Sequence, residues 1–173
     1  AAKADIIDIN MGCPAKKVTG GQSGCALMRE PDLARQLIAA TVKATKRPVT
    51  VKMRLGWDDG SLNAPEIARI AEGEGAQMIT VHGRTRQQLY AGRADWSRIA
   101  AAVEAVKLPV IANGDIADEA SAREAMAKSG AVGVAIGPVA GVAEPTGFNG
   151  GDSGTVVVRG IGLPANTTMA FVP

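Results

Sequence analysis

Cysteine, histidine and aromatic residues are scarce in this chain of 173 residues, and each shortage excludes a class of protein. Two cysteines form at most one bridge, so a secreted disulfide scaffold does not fit. With only one histidine beside them, the usual zinc sites of four cysteines or of two cysteines and two histidines cannot be assembled, and we expect no metal. An aromatic content of 3% disfavours an aromatic-rich β-sandwich.

Long apolar runs and a strong charge imbalance are lacking as well. No stretch of about 18 apolar residues is present and no charged segment leads into an apolar one, so a membrane span does not fit. A formal net charge of +2 gives by itself no argument for a nucleic-acid partner. Apolar residues make up 46% of the chain, which is enough for a packed core, and we expect a soluble cytoplasmic protein.

What the chain does contain is a regular alternation of strand-like and helix-like segments. Five short apolar segments, rich in β-branched residues, have the length of strands. Helical patterns with a proline or a capping residue at their start lie between them. The predicted strands are 5–10, 49–54, 78–82, 110–113 and 132–137. Because parallel neighbours need a crossover helix, this order predicts an α/β fold, either a doubly wound sheet or a (β/α)8 barrel.

The two faces of the predicted strands differ in polarity, and this difference favours the barrel. Lys52 and Arg54 alternate with apolar residues on one strand, and His82 occupies the matching end of the next. A doubly wound sheet is covered on both sides and needs apolar residues on both. A barrel gathers polar groups from several strands at its C-terminal mouth. The sequence therefore predicts a TIM barrel with Lys52, Arg54, His82 and Asn113 directed inward.

The number of units is too small for a complete barrel. Eight β/α units take about 250 residues, whereas five strands are predicted and the first begins at residue 5. We therefore expect a partial barrel over residues 1–137, either cut from the middle of a longer one or closed in another way. Residues 138–173 hold seven glycines, four prolines and three charges, so an irregular tail of unknown role is expected there, in preference to a strand at 155–159.

A first candidate for chemistry is Cys13, in a turn directly after the first predicted strand. Gly12 and Pro14 fix this turn and present the thiol at the mouth. A thiol with an ordinary pKa of about 8.5 is mostly protonated at neutral pH, so we favour proton donation over nucleophilic attack, and a small buried hydrophobe is the alternative. Cys25 precedes an apolar pair and is interpreted as packing.

Lys52 and His82 are the second candidates. A lysine inside a barrel is costly unless it meets an anion, so Lys52 predicts either a buried carboxylate such as Asp8 or a negatively charged ligand. His82 is the only histidine, and a lone histidine is more often a core residue than a catalyst. Because it shares a face with Lys52, we favour a functional role for it.

Glycines after the last two predicted strands are the third candidates. Gly114 lies in the Asn-Gly-Asp segment 113–115, and Gly137 ends the fifth strand. Backbone amides in the loops after the last barrel strands commonly cradle a phosphate in this fold. A lone Asn-Gly-Asp is equally typical of an ordinary turn.

Four motifs occur in order along the first 137 residues. They are Asp-Ile-Asn-Met-Gly-Cys-Pro at 8–14, Lys-Met-Arg-Leu-Gly-Trp at 52–57, Val-His-Gly-Arg-Thr at 81–85 and Asn-Gly-Asp-Ile at 113–116. Together they resemble the tRNA-dihydrouridine synthase family, and most of all its bacterial B-type branch. The resemblance implies a TIM barrel that holds FMN, followed by a helical domain, and an activity that reduces uridine in tRNA to 5,6-dihydrouridine with NADPH.

The resemblance also implies roles for individual residues. It makes Cys13 the acid that protonates uracil C5 while reduced FMN delivers hydride to C6. The candidate cofactor-binding residues are Lys52, His82, Asn113, Gly114, Asp115 and Gly137. The candidate substrate-binding residues are Asn10, Arg54, Arg84, Lys16 and Lys17. Both arginines can meet flavin or RNA phosphate, and the two lysines lie, with Arg86 and Arg93, in predicted mouth loops that RNA must approach.

The chain departs from the family pattern in three ways. No earlier strands precede residue 5, Gly137 is followed by Pro138 where the family has an arginine, and the tail does not resemble a helical tRNA-binding domain. A truncated or altered reading frame would explain all three. Two other functions stay open: a flavin barrel that acts on free pyrimidines, such as a dihydroorotate dehydrogenase, and a catalytically inactive fragment.

Overall fold

One parallel sheet forms the centre of the protein. The computed structural model describes residues 4–136 and 169–172. The strands are β1 (Ile6–Met11), β2 (Val49–Arg54), β3 (Met78–His82), β4 (Val110–Asn113), β5 (Gly133–Ala135) and β6 (Met169–Val172). They lie side by side in the order β5-β4-β3-β2-β1-β6, and every pairing is parallel. Strands β1 to β5 are neighbours in chain order with helices between them, which confirms the predicted α/β fold and the partial barrel.

The helices cover one side of this sheet. They are α1 (Lys16–Thr19), α2 (Pro31–Ala44), α3 (Ala64–Gly73), α4 (Ala100–Ala105) and α5 (Glu119–Ser129), with 3-10 turns at Gly24–Arg29 and Ser97–Ile99. Asp118 begins α5 with a capping box: its carboxylate accepts from Ser121 N at 2.8 Å, and its own N–H donates to Ser121 Oγ at 3.0 Å. No helix within the described ranges is both long and apolar enough to cross a membrane.

The two faces of the sheet differ as the alternation predicts. The main apolar core lies between the sheet and the helices. The sheet contributes Met11, Val51, Met53, Ile79, Val81 and Ala112, and helices α2 and α3 contribute Ile38 and Ile67. The opposite face carries a small apolar layer of Ile6, Met78 and Ile111 near the amino ends of the strands. Polar residues follow that layer towards the carboxyl ends, so the chemistry-bearing side chains share one face and one edge.

The structure differs from the sequence prediction near the carboxyl terminus. Strand β5 is shorter than the predicted segment 132–137, and Gly137 and the candidate strand at 155–159 lie outside the described residues. Strand β6, which was not predicted, pairs with β1 and places Met169 opposite Ile6. A segment of four residues is too short for a polar and apolar alternation to predict a strand. The unpaired backbone N–H and C=O groups of the edge strand β1 nevertheless bind it.

Candidate active site

Strand register brings polar side chains together at the carboxyl edge of the sheet. Asn10 lies opposite Lys52, and His82 lies between Arg54 and Asn113 on its two neighbouring strands. Residues opposite each other in a parallel sheet point to the same face, and alternate residues of one strand do so as well. These five predicted site residues therefore share the inner face of the sheet.

Cys13 lies in a loop after β1 that local contacts hold in place. Asn10 Oδ1 accepts a hydrogen bond from Gly12 N at 3.0 Å, which turns the chain as it leaves the strand. The Cys13 carbonyl accepts from Cys25 N at 3.0 Å. Between them Gly24 has a φ of 56°, and a Cβ added there would lie 2.7 Å from Cys13 O. Only glycine allows the returning chain to pack this closely on Cys13.

The two cysteines have different environments. Cys25 is fully buried, and burial raises the pKa of its thiol to about 11, so it stays protonated and packs as predicted. Cys13 is half-buried. The charge of a Cys13 thiolate acts on both Lys52 and Arg54, which places these three groups in one cluster.

The Lys52 ammonium lies in this cluster without a carboxylate partner. Among residues 4–136 it forms no ion pair, although Asp8 lies two residues before its strand neighbour Asn10. Burial and, to a lesser degree, the Arg54 charge lower the pKa of Lys52 to about 8, although the Asp8 charge opposes both. The sequence predicted that Lys52 meets either a buried carboxylate or an anionic ligand. Because its ammonium has no carboxylate partner among these residues, the structure favours an anionic ligand.

His82 presents a neutral ring with an unused nitrogen. Its Nδ1 is buried and has no hydrogen-bond partner in the described part of the chain. Burial lowers the pKa of His82 to about 2, and the charges of Lys52, Arg54 and Arg84 act in the same direction. A neutral imidazole donates at one nitrogen and accepts at the other, so Nδ1 is free to bond with a ligand in either sense.

Gly114 packs directly against the His82 ring. Its φ is 105°, and an added Cβ would lie 2.9 Å from His82 Cε1 and 2.9 Å from Ala94 Cβ. Gly114→Ala is therefore expected to displace the ring and to lower the free energy of unfolding by about 2–4 kcal/mol. Denaturant unfolding measures the loss, and the NMR signal of the single imidazole reports the displacement.

Gly92→Ala is the matched control for this substitution. Gly92 also has a positive φ, 66°, but no atom lies within 4 Å of its added Cβ. Its replacement is expected to cost about 1 kcal/mol from backbone strain alone and to leave the imidazole signal in place. Equal losses in the two variants would mean that the contact with His82 contributes nothing.

Asp8 is a buried carboxyl one layer below Lys52, and the sequence suggested it only as a partner for that lysine. It is 1% exposed; Thr50 Oγ1 donates to its Oδ1 at 2.6 Å, and its Oδ2 has no partner among the described residues. Burial raises the pKa of Asp8 to about 6, although Thr50 and Lys52 act to lower it. Asp8 therefore changes its protonation state just below neutral pH.

Asp8→Asn is expected to stabilise the protein near pH 8 and to destabilise it near pH 4. The folded state holds the pKa of Asp8 at about 6, compared with 3.8 for an ordinary aspartate. The protonated carboxyl therefore contributes its full stability below pH 3.8, and this contribution is lost as the pH rises through 6. That loss amounts to about 3 kcal/mol. The asparagine still accepts from Thr50 but leaves an unpaired amide that costs about 1 kcal/mol at any pH.

Denaturant unfolding across this pH range tests the Asp8 prediction. The net gain near pH 8 is then about 2 kcal/mol. Asp5→Asn is the control, since its side chain is 61% exposed and pairs only with Arg47 at 3.8 Å. Parallel stability profiles for wild type and Asp8→Asn would contradict the assignment of a raised pKa.

The Arg54 guanidinium is bound to two loops. Its Nε donates to Gly12 O at 3.0 Å, and its Nη1 donates to Thr85 O at 2.9 Å and to Leu89 O at 2.7 Å. Arg54 thereby ties the Cys13 loop to the loop after β3, which is a positioning role. That it also meets flavin or RNA phosphate stays a prediction.

Arg84 and Asp115 form an ion pair between the loops after β3 and β4. The two terminal nitrogens of Arg84 donate to Asp115 Oδ1 and Oδ2 at 2.8 Å and 2.7 Å, and its other bonds go to Ala91 O and Gly92 O. Asp115, with a φ of 56°, also accepts from Ala94 N at 2.7 Å. Both side chains are thus engaged within the protein, and contacts of either with flavin or phosphate stay predictions.

The other predicted site residues lie in several places. Lys16 and Lys17 are exposed on α1, immediately after the Cys13 loop. Asn113 Nδ2 donates to Ala135 O at 2.9 Å, which ties β4 to β5. Gly137 lies outside the described residues. In the part of the chain that is described, no three histidine, cysteine or acidic side chains are grouped so as to hold a metal ion.

A cationic stack at the rim was not indicated by the sequence. The guanidinium carbons of Arg29 and Arg86 each lie 4.7 Å from the ring centroid of Trp57. Backbone bonds join the loops that carry Trp57 and Arg86, since Arg86 N donates to Gly56 O and Gln87 N to Trp57 O, both at 2.9 Å. No spacing rule relates these residues, because they come from a 3-10 turn and two separate loops.

Relatives of known name match most of this chain but only part of their own length. The family described as Dihydrouridine synthase (Dus) matches residues 1–155. A "Probable tRNA-dihydrouridine synthase" of Rhodobacter capsulatus is 65% identical over 134 residues, which is 78% of this chain and 41% of that protein. The tRNA-dihydrouridine synthase B of Yersinia pestis is 49% identical over 140 residues, 81% of this chain and 44% of that protein. The chain thus spans about two fifths of the length of these relatives.

A solved structure supports the fold class. The "putative phosphonomutase" of Burkholderia cenocepacia J2315 matches with a TM-score of 0.51 at 18% identity, over 76% of this chain and 67% of that one. At this identity the likeness concerns the fold alone.

Proposed function

The chain belongs to the dihydrouridine synthase family, and from this premise we propose that it forms part of an enzyme that reduces uridine in tRNA to 5,6-dihydrouridine. We infer that FMN is its cofactor and NADPH its reductant. The observation that carries the proposal is that two groups lie close together at the inner carboxyl edge. The Lys52 ammonium has no carboxylate partner among residues 4–136, and His82 Nδ1 is buried without a hydrogen-bond partner in the same residues.

The residues at this edge fit an anionic flavin. A half-buried cation with no carboxylate partner is costly until an anionic group reaches it, and a buried imidazole nitrogen without a partner is costly until it forms a hydrogen bond. Gly114 packs directly against the His82 ring, which brings the Asn-Gly-Asp loop and the imidazole to the same edge of the site. Lys52, His82 and the Asn-Gly-Asp loop at 113–115 would hold FMN, which supplies hydride to C6 of uracil when it is bound.

In this proposal Cys13 donates a proton to C5 of the uracil ring. Addition of hydride at C6 leaves charge towards C5 and O4, and a proton must then arrive at C5. The loop that carries Cys13 is fixed by Arg54 on Gly12 O and by the close approach of Gly24. The positive charges of Lys52 and Arg54 stabilise the thiolate that remains after the proton has left.

The proposed partner is tRNA, and we place the protein in the cytoplasm, where that substrate is found. The names of the relatives support the substrate. The exposed cations Lys16 and Lys17 follow Cys13 closely, so an RNA strand that delivers its base to the thiol passes them.

Incubation of the purified chain with FMN and then with tRNA that lacks dihydrouridine tests the proposal. A stoichiometric yellow protein that forms dihydrouridine with NADPH is the expected result. Reduction of the bound flavin by free dihydroorotate, with the tRNA inert, would instead favour an enzyme of free pyrimidines. A chain that binds no FMN would favour a catalytically inactive fragment over a competent site.

A further inference from the structure

Arg29 and Arg86 place two positive charges at the rim without an acidic partner. Neither guanidinium is within salt-bridge distance of a carboxylate among residues 4–136. The nearby Asp58 forms no salt bridge with either of them, and its Oδ1 accepts instead from Ser61 Oγ at 2.6 Å. Arg86 donates to Thr19 Oγ1 at 3.1 Å, while its buried Nε has no partner among the described residues. Two like charges held against one indole raise the local positive potential, and an anion that binds to either guanidinium lowers that cost.

A groove of about 470 Å³ runs beside this pair, between the start of α2 and the loop after β2. Arg29, Trp57 and Asn63 are among the residues that line it. Asn63 Nδ2 donates to Met28 O at 2.6 Å, which leaves Asn63 Oδ1 buried and without a partner in the described structure. The groove therefore offers the Arg29 guanidinium together with an unused acceptor. The Asp58 carboxylate also lines it, whereas Arg86 contacts the same indole from outside this lining.

We propose that Arg29, Trp57 and Arg86 form a phosphate-binding surface for the RNA strand that enters the mouth, an inference that rests on the proposed function. Guanidinium groups bind phosphate oxygens in a bidentate manner, and a ring that holds them beforehand reduces the conformational entropy lost on binding. Trp57 is thus a positioning residue for the two cations. The ribose 2′-hydroxyl is a hydrogen-bond donor that suits Asn63 Oδ1, and it distinguishes RNA from other polyanions.

Filter binding of tRNA that lacks dihydrouridine, across salt concentrations from about 50 to 200 mM, measures these contacts. Arg29→Gln and Arg86→Gln are each expected to weaken binding roughly 3- to 10-fold and to reduce the slope of log K against log salt by about 0.7–0.9. Trp57→Leu leaves the net charge unchanged and is expected to weaken binding to a similar extent, because the guanidiniums are no longer held. Trp57→Phe, which keeps a ring, is expected to restore most of the affinity.

Arg123→Gln is the matched control, since it removes one positive charge from an exposed i,i+4 pair with Glu119 on α5. It is expected to leave the slope unchanged. Far-UV circular dichroism and FMN binding verify that each variant is folded. Wild-type slopes in Arg29→Gln and Arg86→Gln, or full affinity in Trp57→Leu, would overturn the phosphate surface. Wild-type protein that binds no tRNA at all would instead overturn the proposed function.

Discussion

Replacement of Cys13 with alanine is expected to slow uridine reduction by roughly 10²- to 10⁴-fold while FMN stays bound. The thiol is the proton donor in the proposed reaction, and no other group at this edge replaces it: His82 is neutral with a pKa of about 2. The Arg54 guanidinium is bonded to backbone carbonyls, and in the proposed site the Lys52 ammonium contacts the cofactor, so both serve to stabilise the remaining thiolate by their charge. Single-turnover rates with reduced protein separate the chemical step from tRNA binding, which is expected to be unaltered.

Cys25→Ala provides the control for the Cys13 substitution. Cys25 is adjacent, fully buried and held as a thiol by a pKa of about 11, so its loss removes a sulfur atom close to the site without removing the proposed acid. A modest loss of stability with near-normal turnover is expected. Equal loss of rate in both variants would point to distortion of the loop, and unchanged turnover in Cys13→Ala would remove this residue from the acid role.

The strands and the polar residues at their carboxyl ends were predictable because the alternation of polar and apolar residues indicates both. The predicted segments 49–54, 78–82 and 110–113 coincide with β2, β3 and β4. Alternation of polar and apolar residues fixes which side chains face inward, and a parallel sheet aligns their ends. Lys52 and His82 therefore share a face for the reason that the sequence indicated.

The ion pairs and stacking contacts that individual side chains form within the protein were harder to predict. The sequence did not indicate that Arg84 pairs with Asp115, and a contact of Arg84 with phosphate stays a prediction. The strand register could have indicated this pairing. His82 lies opposite Asn113, and Arg84 and Asp115 each lie two residues further along the chain from these two. The stack on Trp57 has no such signal, since loops bring it together, and the raised pKa of Asp8 depends on burial that only the folded chain supplies.

Lys52→Met is expected to stabilise the protein in the absence of flavin and to weaken its binding of FMN. Burial holds the pKa of Lys52 at about 8 instead of 10.5, so the folded state favours the neutral amine and the buried charge costs stability at lower pH. Near pH 7 methionine is expected to add about 3 kcal/mol, a gain that fades as the pH rises from 8 towards 10.5. Loss of a charge-assisted contact is expected to reduce FMN affinity roughly 10- to 100-fold.

Proton linkage distinguishes this role of Lys52 from simple packing. An anionic ligand favours the ammonium, so wild-type FMN affinity is expected to fall as the pH rises above 8, whereas the affinity of Lys52→Met stays level. Fluorescence titration of FMN measures both profiles. Lys43→Met, the same change at an exposed position on α2, is the control and is expected to alter neither stability nor affinity. Wild-type FMN affinity in Lys52→Met would mean that the ammonium does not contact the flavin, and the unpaired cation would then need another anion.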